Sequence, residues 1–194
     1  MKIPADDAER IVSQQKKQMR TEMRNRLASL DLREIQRADE QILQKLIRLT
    51  FELQPKTVFC FVSKAQEINT LPFLQFILDG GRQLCVPLCV GAGVMEARRI
   101  RSLGELKKGF YGLMEPEQSA PLVRPEEIDL AVIPCLSCSR DGRRLGYGGG
   151  FYDRFYEACP DIPSVMVCRS AMMREDIPAA AYDHMFPRII TEEE

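Results

Sequence analysis

The chain has 194 residues, enough for one compact domain that buries about two-thirds or more of its unfolded surface. With 45% hydrophobic and 28% charged residues, and twelve each of Gly and Pro, its composition is that of a globular protein and excludes a disordered or fibrous chain. A formal net charge of -1 excludes a global field that would draw the chain onto nucleic acid or an anionic membrane, so any anion site must be local.

The opening MKIPADDAERIVSQQ lacks the apolar centre of a secretory signal, and no apolar run reaches the roughly 18 residues that span a bilayer. The expected compartment is therefore the cytoplasm. Residues 8–30 read as a helix in which Met19, Met23, Leu27 and Leu30 form an apolar stripe. Lys16 falls almost on the axis of that stripe and Arg20 and Arg24 to one side, so Lys16 and Arg20 border the buried face. A second helix opens at Asp31, with Glu34 three residues on as in a capping box, turns Ile35, Ala38, Ile42, Leu46 and Leu49 inward, and ends near Leu53 ahead of Pro55.

Beyond this helical pair (8–53), strands and helices alternate through residues 57–192. Strands are expected at 57–63, 83–90, 95–100, 128–134, 164–170 and 188–192. A helix is expected over 70–78, with Thr70 as N-cap and Gly80-Gly81 closing it, and another in GFYDRFYEAC. Between Ser102 and Glu117 the pattern suggests a short helix and an ordered loop. Strands separated by crossover helices predict a single α/β domain, its central sheet largely parallel and flanked by helices.

Seven cysteines, an odd number in a chain without a secretory signal, point to reduced thiols, mostly small core residues. Cys85 and Cys89 together with Cys135 and Cys138 offer four thiolates to zinc on paper. Residues four apart in a strand share a face but lie roughly 13 Å apart, which argues against that set. Cys135 and Cys138 are also a candidate redox pair. His184, the only histidine, has no second histidine for a ligand cluster and is read as solvated or capping.

The chemistry concentrates in residues 128–156: a buried strand, then Gly146-Tyr147-Gly148-Gly149-Gly150, then a helix start. Glycines let successive amides approach an anion, and the following helix adds its positive end. The Walker pattern fails for want of Gly-Lys-Ser/Thr, and GxGxxG fails because Phe151 occupies the final glycine position. Arg143 and Arg144 offer guanidinium forks to phosphate, and Asp153 is a hard carboxylate suited to Mg²⁺.

The run DGRRLGYGGGFYDRF, residues 141–155, resembles the signature of the 5-formyltetrahydrofolate cyclo-ligase family. The likeness extends to the Lys16-x3-Arg20-x3-Arg24 helix, to FVSKAQEINT around Glu67, to GFYGLMEP, and to Asp183 followed by RIITE. It implies a monomeric enzyme that uses ATP and Mg²⁺ to convert 5-formyltetrahydrofolate into 5,10-methenyltetrahydrofolate through an N5-iminium phosphate. It also implies that Lys16, Arg20, Arg144 and the segment Gly146, Tyr147, Gly148, Gly149, Gly150, Phe151, Tyr152 and Asp153 bind nucleotide. Asp153 and Asp183 would hold Mg²⁺, Glu67, Tyr111 and Tyr152 would contact the reduced folate, and Arg144 and Tyr152 would take part in catalysis.

Two positions depart from the family pattern: Ser139 stands where an acid is expected and Ala171 where a glutamine is common. They keep open a relative that binds nucleotide or folate without cyclising it. An RNA-binding role for KKQMRTEMRNR is disfavoured by the net charge and by the apolar stripe beside the basic row.

Overall fold

A computed structural model of the chain describes residues 5–109, 112–180 and 183–193, with side chains from residue 9 onward within them. In chain order the elements are α1 (Ala5–Ser29), α2 (Leu32–Leu53), β1 (Thr57–Cys60), α3 (Leu71–Asp79), β2 (Gln83–Gly91), β3 (Val94–Ile100), β4 (Lys107–Lys108), β5 (Met114–Glu115), β6 (Leu122–Val123), β7 (Leu130–Pro134), β8 (Ser137–Cys138), β9 (Arg144–Leu145), α4 (Phe151–Ala158), β10 (Ser164–Val167) and β11 (Ile189–Ile190). Seven strands form the central sheet in the order β11-β10-β7-β1-β2-β3-β6. The first five of these run parallel, and β3 and β6 are added antiparallel at one side.

Alternate residues of the central strands feed opposite faces, as the pleat requires. Phe59, Cys85, Ala131 and Ile133 pack with Met19, Met23 and Leu27 of α1 and Phe155 and Tyr156 of α4. Val58, Cys60, Leu84, Leu130 and Val132 pack with Ile42, Leu46 and Leu49 of α2 and Phe73, Leu74 and Ile77 of α3. The sheet is thus the middle of three layers, and both predicted apolar stripes face it. No helix among the described residues is long and apolar enough to cross a membrane.

The helical pair forms as its sequence dictates. The Asp31 carboxylate accepts from the amides of Arg33 (2.7 Å) and Glu34 (3.3 Å), capping α2. Elsewhere the structure corrects the expected boundaries. The first strand stops at Cys60, not at residue 63, because side chains replace the ladder: Thr70 Oγ1 donates to Phe61 O (2.8 Å), and Ser63 and Thr70 exchange amide-to-hydroxyl bonds of 3.1 Å. Thr70 sits at the N-cap of α3, yet its hydroxyl serves this clasp and not the helix. The strand expected to reach residue 170 stops at Val167 and becomes a 3-10 turn over Ser170–Met172. The segment after Ser102 is a 3-10 turn followed by the β4-β5 hairpin, and a second small hairpin, β8-β9, precedes the glycine run.

Replacing Asp31 with Ala removes two amide partners at an exposed helix start and is expected to lower stability by about 1 kcal/mol. A urea titration followed by circular dichroism measures it.

Candidate functional site

The carboxyl ends of β1, β7 and β10 all open on the same side, the usual place for a ligand in a parallel sheet. From β1 the chain runs into the 61–70 loop carrying Glu67, from β7 into the β8-β9 hairpin and the glycine run, and from β10 into Cys168 and Arg169. The first helix lies against the glycine run: Arg20 Nε donates to Gly146 O at 2.8 Å. Arg154, on the first turns of α4, donates to Gly149 O at 2.5 Å and to Gly93 O at 2.7 Å. In a trans peptide the next N–H points opposite the carbonyl, so these bonds turn the amides of Tyr147 and Gly150 away from the arginines.

Glycine is required at two of these positions. Gly148 has φ 103° and Gly150, the N-cap of α4, has φ 65°, backbone conformations that residues with a side chain rarely adopt. Gly149 lies under the Phe151 ring, where an added Cβ would sit 2.7 Å from ring carbons.

Cations crowd this loop. Burial lowers the Arg20 pKa first, followed by repulsion from Arg24 and Arg144, while Asp153 and Asp183 oppose the shift. A pocket that presses its own cations together is one that an anion relieves. Arg144, from β9, donates to Pro134 O at 3.2 Å, pairs with Asp153 at 3.2 Å, and stacks over the Tyr152 ring at 5.2 Å. Its Nε is buried and has no hydrogen-bond partner among the described residues. Lys16 is buried and ion-paired with Asp183. Arg143 instead turns to Ile177 O (3.1 Å) and Asp141 (3.0 Å), leaving one guanidinium fork of the expected two beside the loop. Ser139 is buried with its hydroxyl donating to Asp141 and accepting from the Arg143 amide (3.2 Å), so it braces the hairpin turn.

Next to the cationic loop is a small cavity of about 20 Å³ whose walls include Glu67, Tyr147, Leu27, Cys135, Cys168 and Arg169. Burial raises the Glu67 pKa, against the opposing effects of the Lys64 amide (2.8 Å to the carboxylate), the Lys64 charge, the Tyr147 hydroxyl and Arg169. Burial and the Glu67 charge together push the phenols of Tyr147 and Tyr152 above their ordinary range. Tyr147, whose backbone belongs to the glycine run, thus sends its side chain to Glu67. Tyr111 lies outside the described residues.

Two features were not anticipated. Arg169 holds Asp39 of α2 with two bonds (2.7 and 3.0 Å) and donates to the carbonyls of Gln66 (3.2 Å) and Glu67 (3.0 Å), fastening the loop that carries Glu67. A cation directly after the apolar strand SVMVC, and an acid beside Ala38 on the inner face of α2, were the available signals. Second, Cys138 joins Cys135 and Cys168, not Cys85 and Cys89, with the three sulfurs within 4.8 Å of one another. Hydrogen bonds from Cys135 and Cys168 pull the Cys138 pKa down while those of its two neighbours rise. His184 is a correction: it is neither free in solvent nor capping but half-buried, its ring tilted against Tyr156 at 4.5 Å and edge-on to Phe186 at 4.7 Å between centroids, and burial lowers its pKa.

A sequence model of the 5-formyltetrahydrofolate cyclo-ligase family matches residues 12–192. The chain is similar to a 5-formyltetrahydrofolate cyclo-ligase of Haemophilus influenzae, 28% identical over 145 residues covering 73% of this chain and 78% of the relative. It is also similar to the enzyme of that name in Escherichia coli, 24% identical over 174 residues covering 87% and 96% of the two chains. Among solved structures, the 5,10-methenyltetrahydrofolate synthetase of Aquifex aeolicus superposes with a TM-score of 0.79 at 26% identity, covering 92% of this chain and 90% of that one. The Mycoplasma pneumoniae protein, at 22% identity and a TM-score of 0.73, shares the fold.

Arg169→Ala strands the Asp39 carboxylate in a largely buried place and is expected to cost about 3–5 kcal/mol of unfolding free energy in a denaturant titration. Glu67 gives a pH signature. Because its folded pKa lies above the ordinary 4.5, its neutral form is the one the fold favours, and the associated stability, full below pH 4.5, is lost as pH rises through the folded value. Glu67→Gln is therefore expected to melt higher than the wild type at neutral pH, the gap closing as pH falls to 4.5.

Proposed function

Because the chain belongs to the 5-formyltetrahydrofolate cyclo-ligase family, we propose that it closes the ring of 5-formyltetrahydrofolate to give 5,10-methenyltetrahydrofolate, with ATP converted to ADP and phosphate. The observation that carries the nucleotide part is the contact of Arg20 with Gly146, which sets a cationic helix against a glycine run opening a second helix. Amides of residues 147–150 and the N-terminal end of α4 hold the phosphates, and Lys16, Arg20 and Arg144 neutralise them. The unpartnered Arg144 Nε is a donor that a phosphate oxygen would satisfy.

Asp153 and Asp183 fit Mg²⁺ by their chemistry: both are carboxylates, and both act on the Arg20 guanidinium, so they share its neighbourhood. Held by these two carboxylates, Mg²⁺ would supply positive charge that offsets the charge of the phosphate groups. Each carboxylate is paired with a cation, Asp153 with Arg144 and Asp183 with Lys16, and those pairs exchange partners when a nucleotide supplies negative oxygens.

The formyl oxygen is a poor leaving group until it is phosphorylated. It attacks the γ-phosphorus, the bond to ADP breaks, and an N5-iminium phosphate results. N10 then attacks the iminium carbon and loses its proton, and the carbon–oxygen bond breaks to release phosphate and the methenyl product. This chain's contribution is alignment and charge stabilisation. Glu67, set by Lys64 and Tyr147 and fastened by Arg169, accepts hydrogen bonds from the pterin. Tyr111 is the aromatic residue that the family likeness assigns to the folate. Tyr152, held between Arg144 and Phe59, closes the wall between the folate and phosphate regions.

Incubation with 5-formyltetrahydrofolate, Mg²⁺ and ATP is expected to produce the near-ultraviolet absorbance of the methenyl product. ATP binding without that absorbance would replace this reading by a relative that binds and does not cyclise. Arg20→Ala, which removes a charged donor worth about 1.5–3 kcal/mol, is expected to raise the KM for ATP about 10- to 100-fold. An unchanged KM removes Arg20 from the phosphate site.

A further inference from the structure

We propose that Cys135, Cys138 and Cys168 form a zinc site of three thiolates whose fourth position, open to a water, faces the cavity beside Glu67. No step of the proposed cyclisation uses these side chains, and the site stands independently of it.

The fold itself brings the three sulfurs together. The register of β7 against β10 pairs Pro134 with Val167, so the next residues, Cys135 and Cys168, leave the two strands side by side. The chain then turns within two residues into β8, where Cys138 pairs with Arg144 of β9 and its carbonyl accepts from the Arg174 amide at 2.9 Å. All three sulfurs lie within 4.8 Å of one another, and Cys138 and Cys168 are buried. A tetrahedral zinc with bonds of about 2.3 Å needs sulfurs about 3.8 Å apart, so no pair has to close by more than about 1 Å. The thiols of Cys135 and Cys168 otherwise satisfy themselves with weak bonds to Val167 O (3.3 Å) and Arg169 O (3.4 Å), which cost little to break.

The donor set selects the ion. Three sulfurs without imidazole or carboxylate exclude hard cations such as Mg²⁺ and Ca²⁺. Among thiophilic ions, charge decides: three thiolates leave a residual charge of minus one around a divalent ion and minus two around a monovalent one, and a buried site favours the smaller. Arg169, the buried cation that follows Cys168 in the chain, is already committed to Asp39 and offsets neither. Cys135 and Cys168 also line the cavity of about 20 Å³, which is large enough for one water on the metal's free position. Binding releases to solvent whatever protons the three sulfurs still hold as all three become thiolates.

The full chain, reduced and stripped with a chelator under anaerobic conditions, is titrated with Zn²⁺, and with Cd²⁺ as a spectroscopic probe. The expected result is one ion per chain, a thiolate-to-cadmium absorption band, and a metal-dependent rise in melting temperature. Cys135→Ser, Cys138→Ser and Cys168→Ser each lose stoichiometric binding, whereas Cys89→Ser and Cys159→Ser keep it. Should a variant fail to fold, timed alkylation of the native wild type followed by peptide mapping replaces it: the buried Cys138 and Cys168 react only as the fold opens, and Zn²⁺ is expected to slow residues 135, 138 and 168 together. Absence of a one-to-one complex in the reduced protein overturns the site, as does binding that survives in all three variants or protection confined to other cysteines. Because metal content and thiol protection are read without substrate, a negative result leaves the cyclo-ligase reading untouched, and an inactive enzyme leaves the zinc site untouched.

Discussion

The hydrogen bond from Arg20 to the carbonyl of Gly146 is the contact on which the geometry of the loop rests. It joins the helix that begins the chain to a turn 126 residues later, and it needs both partners to be what they are. Arg20 reaches the turn because the apolar stripe of Met19, Met23 and Leu27 fixes the rotation of α1 on the sheet, which leaves the basic row at the border of the buried face. The turn takes this shape because Gly148 adopts a backbone angle, φ 103°, that other residues resist. Rotating the helix by one residue would move the cation off the loop and take the methionines out of the core at once. Hydrophobic packing and charge placement are therefore a single constraint here.

The same economy governs the surroundings of Glu67. Glu67 is uncomfortable where it sits, since burial disfavours its charged form, and it is held there by Arg169, whose own charge is balanced by Asp39 from α2. An acid kept in a place that opposes its ionisation is a poor stability element and a good acceptor for a ligand's donors. The loop that carries it has no regular structure of its own. Its shape comes from the Ser63–Thr70 clasp at its base and the Arg169 bonds to the carbonyls of Gln66 and Glu67.

Much of the fold was legible in the sequence because it rests on periodicity. Both helices of the pair, their inner faces and the Asp31 cap follow from local pattern, as does the buried strand before the glycine run. The boundaries that failed did so where a side chain took over a backbone bond, as Thr70 does for Phe61, and no pattern of apolar residues records that event. In the site, the spacing of Lys16 and Arg20 was informative because a helix converts spacing into direction. Arg169 and Asp39, 130 residues apart, have no such converter, and neither does the approach of Cys168 to Cys135 and Cys138. His184 was misjudged for the same reason: its aromatic neighbours, Tyr156 and Phe186, are supplied by the fold.

The outer strands of the sheet, β11 and β6, contribute only two residues each. A strand so short presents almost no ladder of free amides and carbonyls to a neighbouring molecule, a common defence against edge-to-edge polymerisation. The parallel centre of the sheet, with its fully buried strands LAVIP and TVFC, is the part that would be adhesive if it were reached, and it lies at least two strands from either rim. Short rims of this kind leave copies of the chain little backbone with which to extend the sheet.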